Sequence, residues 1–266
     1  KKEKCDGGII HVGDLFNYWK TSYATTGKLI KCLIENDMHI NGVIGSHDIS
    51  GYNLQTKDDS AIGLLEKAGV FTELRGEGQL EDGKIYTRYI HAKLRHDLSE
   101  FDCRDRKEFS LCVAHAMITD AEKLPFEHIW YKELQGFANI IISGHFHAQW
   151  LLEEGGTLFI NPGPMLRTSI SNTFTPGVVI LDIENNKVKE CYQVELKSAK
   201  PYSEVFKEVV EKENIIEIPK IDIEKIEAVS LADKLLQFGK DKEEDPKVVD
   251  KAIECVNLAQ KSIQEI

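Results

Sequence analysis

The stretch Ile140-Ile-Ile-Ser-Gly-His-Phe-His147 is the most informative part of this sequence. Its β-prone, mostly apolar run ends in a glycine, which predicts a buried strand that leads into a tight turn. The two histidines would then lie at the carboxyl end of that strand, where open α/β sheets place their active sites. Histidines two residues apart can bind one metal ion, or one ion each of an adjacent pair. An exposed loop with two incidental histidines would show the same pattern.

Three other strand-like runs end in the same residue types. Residues 8–12 precede Gly13-Asp14, residues 39–44 precede Gly45-Ser46-His47-Asp48, and residues 109–114 precede His115. Carboxylate and imidazole groups without cysteine favour Mn, Fe or Zn over a structural zinc site. The pattern therefore predicts a metal or acid–base centre built at the ends of several strands.

Composition limits the class of protein. The 266 residues, 42% of them hydrophobic, suffice for one large α/β domain with a small appendage. No run approaches the length of a membrane span, and no signal-peptide pattern opens the chain. The six cysteines are scattered without paired metal spacing, which favours reduced thiols and a cytoplasmic protein. The net charge of −11 argues against coating nucleic acid through bulk charge, but it leaves a metal-centred phosphate site open.

Hydrophobic periodicity predicts the order of the elements. Helices are predicted over residues 25–36, with Leu29, Ile30, Leu33 and Ile34 inward, and over 61–68, with Leu64 and Leu65 inward. Further strands are predicted over 70–74, 84–92, 156–160, 178–183 and 188–196, with turns at 76–78 and 184–187. We assign residues 1–200 to one domain and the Lys/Glu-rich residues 201–266 to a helical C-terminal extension.

The four strand ends together resemble a known family. In order and context, Gly13-Asp14, Gly45-Ser46-His47-Asp48, His115 and Gly144-His145-Phe146-His147 resemble the motifs of the calcineurin-like metallophosphoesterases. Gly13-Asp14-Leu15-Phe16 and Phe159-Ile-Asn-Pro-Gly163 resemble SbcD-type DNA-repair nuclease subunits more closely still. The resemblance covers roughly residues 8–210. It implies an α/β fold, a four-layer α/β/β/α sandwich with a small helical C-terminal extension.

The resemblance also implies two divalent metal ions, with Mn²⁺ the first expectation and Fe or Zn the alternatives. Asp14 would bridge the two ions, His115 and His145 would bind the second, and His147 would bind the first.

The remaining motif residues would carry the proton chemistry. His47 would lie over the phosphate and protonate the leaving oxygen, with Asp48 orienting its ring. The implied reaction is in-line attack of a metal-activated water on a phosphodiester.

Two departures from the family pattern affect the metal site. The family's first motif, Asp-any-His on the opening strand, has no match before Gly13, so we expect it upstream of Lys1. A chain without it should bind its first metal weakly. His11 is a poor substitute, because it lies inside a strand and we expect it to pack. Ser46 stands where the family has an asparagine ligand of the second metal, and we leave it out of the ligand set.

Other residues are weaker candidates. Contacts to substrate phosphate or to the DNA backbone are possible for Arg167, Lys93, Arg95, His96, Arg104, Arg106 and Lys107, with solvated loops as the alternative. Tyr18 and Trp19 could stack on a base, but we favour a role in the core. We expect His39, His91 and His128 to be structural or exposed.

The resemblance implies a nuclease subunit that acts on DNA ends with an SbcC-like ATPase, in a family whose members are often homodimers, with no membrane partner. A stand-alone phosphodiesterase or phosphatase for nucleotides or small phosphoesters is the first alternative. The second is a degenerate binding subunit that kept the fold and lost one metal, which Ser46 favours.

Overall fold

The computed structural model describes residues 8–80, 84–167 and 173–206. The α-helices are α1 (Tyr23–Glu35), α2 (Ala61–Lys67) and α3 (Tyr202–Val205). The strands are β1 (Ile9–His11), β2 (Ile40–Gly42), β3 (Phe71–Glu73), β4 (Gly76–Leu80), β5 (Ile85–Ile90), β6 (Phe109–Ala116), β7 (Ile118–Thr119), β8 (Ile129–Trp130), β9 (Ile140–His145), β10 (Trp150–Glu154), β11 (Thr157–Asn161), β12 (Gly177–Glu184) and β13 (Lys187–Glu195). Short 3-10 helices span Leu54–Asp59, Leu98–Phe101 and Tyr131–Leu134.

Two sheets carry the architecture. The first is a three-stranded parallel sheet in the order β1-β2-β3. The second has six strands in the order β10-β11-β9-β6-β5-β4, parallel from β11 to β5 and antiparallel at both edges. Because β6 and β9 run side by side in the same direction, with Ala116 paired to His145, their carboxyl ends meet at one edge of the sheet.

Helices α1 and α2 cover the three-stranded sheet. Ser22 begins α1 with a side-chain oxygen that accepts the N–H of Thr25, and Ser60 begins α2 in the same way with Gly63. A buried cluster joins both helices to the sheet through Leu33, Ile62, Leu65, Ile40 and Phe71. Burial of this apolar stripe, rather than helix propensity, fixes the two helices on the sheet.

Both faces of the six-stranded sheet are buried. One face packs Leu111, Val113, Ile140 and Ile160 against Val43 of the three-stranded layer, with the β12–β13 hairpin alongside. The other face packs Cys112, Ile141 and Phe159 under the 3-10 segments that carry Phe101 and Leu134. The near-continuous hydrophobic runs of β6 and β9 follow from this two-sided burial.

The predicted α/β class with helices and stacked sheets is confirmed. The prediction also placed α-helices on the outer face of the six-stranded sheet. In the described part of the chain, short 3-10 helices and loops cover that face instead. Residues 98–101 and 131–134 are too short to complete α-helical hydrogen bonding, yet each inserts a fully buried apolar side chain.

Three local predictions were wrong. Ile34 is 62% exposed and Leu64 is 36% exposed, although both sit on predicted apolar stripes. Each predicted stripe therefore includes one residue that does not pack against the sheet. Residues 76–78 form part of strand β4 rather than a turn, since Gly78 pairs with Thr87 of β5. The predicted turn at 184–187 is confirmed, with Asn185 and Asn186 both at positive φ.

The predicted helical extension over residues 201–266 lies outside the described residues, apart from α3. The chain divides into Lys1–Glu208 and Val209–Ile266, and the second unit falls wholly beyond the described ranges. Among the described residues, no helix is both long and apolar enough to cross a membrane.

Candidate metal centre

Three predicted ligands from three strands lie together. Asp14 follows β1, His115 lies in β6 and His145 ends β9. Nε2 of His115 is 3.3 Å from Oδ2 of Asp14 and 3.0 Å from Nδ1 of His145. One ligand atom from each of the three residues falls within 4.8 Å of the others. The two sheets therefore contribute to one site, a carboxylate from the first and two imidazoles from the second.

Motif glycines allow the loops to approach this closely. A Cβ atom at Gly45 would lie 2.0 Å from the backbone nitrogen of Asp14, and one at Gly13 would lie 2.3 Å from Nδ1 of His115. Asp14 and His145 have positive φ values of 57° and 83°, which non-glycine residues seldom adopt. Backbone strain of this kind, at two of the three clustered residues, is typical of functional sites.

The Asp14 carboxylate is held by the loop that follows β2. The backbone N–H of His47 donates to Oδ1 of Asp14 at 2.7 Å, and the Ser46 hydroxyl lies 3.4 Å from both oxygens. The fully buried carboxylate of Asp48 accepts the N–H groups of Asp14 and Gly45, each at 2.9 Å. These bonds fix both the backbone and the side chain of Asp14.

A carbonyl oxygen fixes the tautomer of His115. Nδ1 lies 2.8 Å from the carbonyl oxygen of Val12, which can only accept, so Nδ1 carries the proton. Nε2 of a neutral His115 is then an acceptor that faces the Asp14 carboxylate. A hydrogen bond at one ring nitrogen that leaves the other as a ligand is the usual arrangement around a bound metal.

The charge states also suit a cation. Burial, aided by the charge of His115, lowers the pKa of His145 to about 4, so its ring is neutral at pH 7. Burial alone would raise the pKa of Asp14, but interactions with the His115 ring and with the N–H of His47 outweigh it and lower the pKa to about 2. The cluster thus presents one carboxylate and neutral imidazole nitrogen.

These residues fit a divalent metal ion. Oδ2 of Asp14 and Nε2 of His115 lie 3.3 Å apart, close enough to bind one cation together. Mixed carboxylate and imidazole ligands suit Mn, Fe or Zn. The predicted ligand His147 is exposed and lies outside the group of three, although its charge acts on His145.

The contact predicted between Asp48 and His47 differs from the one observed. His47 is exposed, and its Nδ1 lies 3.0 Å from the carbonyl oxygen of Asn17, which sets the ring orientation. Asp48 instead accepts backbone N–H groups, including that of Phe16 at 3.3 Å. Both oxygens of Asp48 accept backbone N–H groups, and its orienting role on the His47 ring stays a prediction.

His11 braces the turn before Asp14. Its Nδ1 accepts the N–H of Gly13 at 3.1 Å, and burial, aided by the charge of His115, lowers its pKa to about 4. This contact agrees with the prediction that His11 packs.

A cavity of about 270 Å³ opens beside the cluster, with His115 and His145 in its wall. The candidate DNA contacts Lys93, Arg95 and His96 also line it. Lys93 is paired with Glu100 at 2.7 Å and Arg95 with Glu127 at 3.0 Å, so both cations already have partners.

The other weak candidates have structural contacts. Arg167 donates to the carbonyl oxygens of Phe174 and Lys200, which ties three segments together. Arg104 pairs with Asp102, and Arg106 pairs with Glu77.

Tyr18 is 57% exposed, so the prediction of a core role for it was wrong. Among the described residues, cysteines 32, 103, 112 and 191 are free thiols.

His91 was expected to be structural or exposed, and its contacts confirm a structural role. Glu73 was not considered. His91 follows β5 and Glu73 ends β3, and the two side chains are 3.2 Å apart. Both obey the strand-end rule that singled out the ligands, and that rule would have found them.

Comparison with known proteins gives a family match. Residues 2–186, more than half of the chain, match the family described as calcineurin-like phosphoesterase superfamily domain. Among solved structures, an archaeal phosphodiesterase is 18% identical over 71% of this chain and 82% of its own, with a TM-score of 0.37. Phosphopantetheinyl hydrolase from Mycobacterium tuberculosis is 11% identical over 58% and 78%, with a TM-score of 0.35. Vacuolar protein sorting 29 from Cryptosporidium parvum is 16% identical over 71% and 82%, with a TM-score of 0.32.

Proposed function

Because this chain belongs to the calcineurin-like phosphoesterase superfamily, we propose that it is a metal-dependent phosphodiester hydrolase with Asp14, His115 and His145 as metal ligands. The observation that carries the proposal is the convergence of these three residues from separate strands, with ligand atoms within 4.8 Å. His147 would add a ligand from the same turn as His145. A divalent ion bound there supplies Lewis-acid stabilisation of charge on the phosphate and lowers the pKa of a bound water.

His47 is the proposed general acid. It is exposed, so it can reach a bound ester, and its Nδ1 is oriented by the Asn17 carbonyl oxygen. That carbonyl can only accept, so Nδ1 carries the proton and Nε2 is the atom that would hold and deliver a proton to the leaving oxygen. The backbone N–H of the same residue holds Asp14. Movement of this loop would therefore disturb the acid and the ligand together.

We extend the proposal to DNA as the substrate and to a nuclease subunit that works with an SbcC-like ATPase. The resemblance of Gly13-Asp14-Leu15-Phe16 to SbcD-type subunits supports this extension. The homodimer and the cytoplasmic location belong to the same proposal and rest on the same resemblance and on the reduced thiols.

The test is hydrolysis of two substrates with Mn²⁺, linear double-stranded DNA and bis(p-nitrophenyl) phosphate. We expect both to be cleaved, with the activity lost in His115→Ala and reduced about 10²-fold or more in His47→Ala. His39→Ala is the matched control, since His39 is an exposed histidine bonded to Gly69 and Thr72 at the other end of β2.

The outcomes separate the functional classes. Cleavage of the small diester without DNA cleavage would support the stand-alone phosphodiesterase. Mn²⁺ binding without hydrolysis of either substrate would support a degenerate binding subunit. Failure of the protein to bind Mn²⁺, Fe²⁺ or Zn²⁺ would overturn the proposal.

A further inference from the structure

An ion-pair cluster around a buried carboxylate contacts the residue that precedes the loop holding Asp14. Glu73 lies at its centre, with a side chain only 3% exposed. Oε1 of Glu73 is 3.2 Å from Nε2 of His91, and Oε2 accepts from Lys57 at 2.6 Å and from Arg75 at 2.6 Å. Such a cluster is costly to bury, so its position beside a functional loop calls for a physical explanation.

His91 connects this cluster to the loop. Its Nδ1 accepts the backbone N–H of Ile44 at 3.0 Å, so the proton of the neutral ring lies on Nε2, where it donates to Glu73. The carbonyl oxygen of Ile44 accepts the N–H of Ala92 at 2.9 Å. Both backbone polar groups of Ile44, a fully buried residue, are thus bonded to residues 91 and 92.

Ile44 is the last residue before the loop Gly45-Ser46-His47-Asp48. This loop holds Asp14 through the N–H of His47 and the carboxylate of Asp48. Glu73 is therefore connected to the Asp14 carboxylate through His91, the backbone of Ile44 and the loop that follows Ile44.

The same contact joins the two sheets. Glu73 ends β3 in the three-stranded sheet, whereas His91 follows β5 in the six-stranded sheet. Asp14 follows β1 of the first sheet, and His115 and His145 lie in strands of the second. The distance between the carboxylate and the imidazoles is therefore set by contacts that cross between the sheets, and the Glu73–His91 contact is one of them.

We propose that Glu73 and His91 are positioning residues that hold the 45–48 loop, and through it Asp14 and His47, in register with His115 and His145. The catalytic part of this inference rests on the proposed function, whereas the part that concerns metal binding does not. Lys57 and Arg75 keep the Glu73 carboxylate turned toward His91. Loss of the contact between His91 and Ile44 would loosen the metal site without removing any ligand.

Two conservative substitutions of His91 separate its two contacts. The side-chain oxygen of Asn lies close to the position of Nδ1, so His91→Asn can still accept the N–H of Ile44. The amide nitrogen of Gln lies close to the position of Nε2, so His91→Gln can still donate to Glu73 but leaves Ile44 without its acceptor. A general effect on packing would affect both variants alike, whereas the proposal requires them to differ.

The experiment measures Mn²⁺ affinity by calorimetry and amide hydrogen exchange of Ile44 in the metal-free protein. We expect His91→Gln and His91→Ala to weaken Mn²⁺ binding about 10-fold or more and to speed exchange at Ile44. His91→Asn should stay within about threefold of the wild type in both measurements. His39→Ala serves as the control and should change neither.

Equal Mn²⁺ affinity in wild type, His91→Asn and His91→Gln would overturn the inference, as would unchanged exchange at Ile44 in His91→Gln. If His91→Ala does not fold, the Asn and Gln pair still decides the question. A protein that binds Mn²⁺ in the expected order of variants but cleaves no phosphoester would refute the proposed function and support the positioning role.

Discussion

Substitution of Gly45 by alanine should disrupt the metal centre through one methyl group. The added Cβ would lie 2.0 Å from the backbone nitrogen of Asp14 and 2.2 Å from its Oδ1. Ordinary contact between such atoms needs about 3.5 Å, so the β1 loop must retreat by about 1.5 Å. Because the obstructing atom is backbone, no rotation of a side chain can relieve the clash.

The cost follows from the contacts that this retreat breaks. The N–H of Asp14 is 2.9 Å from Asp48, and Oδ1 of Asp14 is 2.7 Å from the N–H of His47, so neither bond survives such a shift. Overpacking costs about 1–3 kcal/mol, and each lost hydrogen bond adds about 1 kcal/mol. We expect a loss of about 3–5 kcal/mol in the free energy of unfolding, or about 6–20 °C in Tm. A displacement of about 1 Å at the site should also lower activity about 100-fold.

Thermal unfolding, Mn²⁺ titration and phosphodiester hydrolysis measure these effects. Gly27→Ala is the matched control, because Gly27 lies within α1 and a Cβ there meets no atom within 4 Å. That variant should gain about 0.5–1 kcal/mol from helix propensity and keep its activity. A Gly45→Ala protein with wild-type Tm and Mn²⁺ affinity would refute the close approach of the two loops.

Three further predictions concern the rest of the molecule. Burial would raise the pKa of Glu73, but hydrogen bonds from Arg75 and Lys57 outweigh it and hold the pKa below its ordinary value. The stability that Glu73 contributes is therefore present above about pH 4.5 and lost as the pH falls through the lower folded-state pKa. Glu73→Gln should lose about 3 kcal/mol at pH 7 and differ less from the wild type in acid, which urea unfolding at several pH values can check. Cys32 should react with a thiol reagent in the native protein while Cys103, whose pKa burial raises to about 11, should not, as peptide mass mapping would reveal. Arg167→Ala should lower Tm and leave the KM for bis(p-nitrophenyl) phosphate unchanged, whereas a raised KM would assign Arg167 to substrate binding.

The fold was predictable where a single pattern decides the structure. The apolar runs that became β6 and β9 are buried on both faces, so their hydrophobicity alone identified them. Strand β4 was not predictable in this way, because Gly76 and Gly78 are typical of turns. Pairing with β5 overrides that local preference, and such pairing depends on residues distant in the sequence.

The site was predictable as a set of residues, and less so as a set of contacts. Strand ends carrying Asp and His predicted Asp14, His115 and His145 as ligands, and the fold brings these three residues together. The sequence could not show that Asp48 binds backbone rather than His47, since backbone N–H groups leave no trace in residue identity. The contact between His91 and the N–H of Ile44 was unpredictable for the same reason.

The most direct test of this account is an anomalous diffraction measurement on crystals of the protein soaked in Mn²⁺. The account predicts a peak about 2 Å from each of Asp14 Oδ2, His115 Nε2 and His145 Nδ1, since metal–ligand bonds of this type have that length. The peak should vanish in a His115→Ala crystal. A saturating soak that leaves this position empty, or that places the ion away from these three residues, would contradict the assignment of a metal centre here.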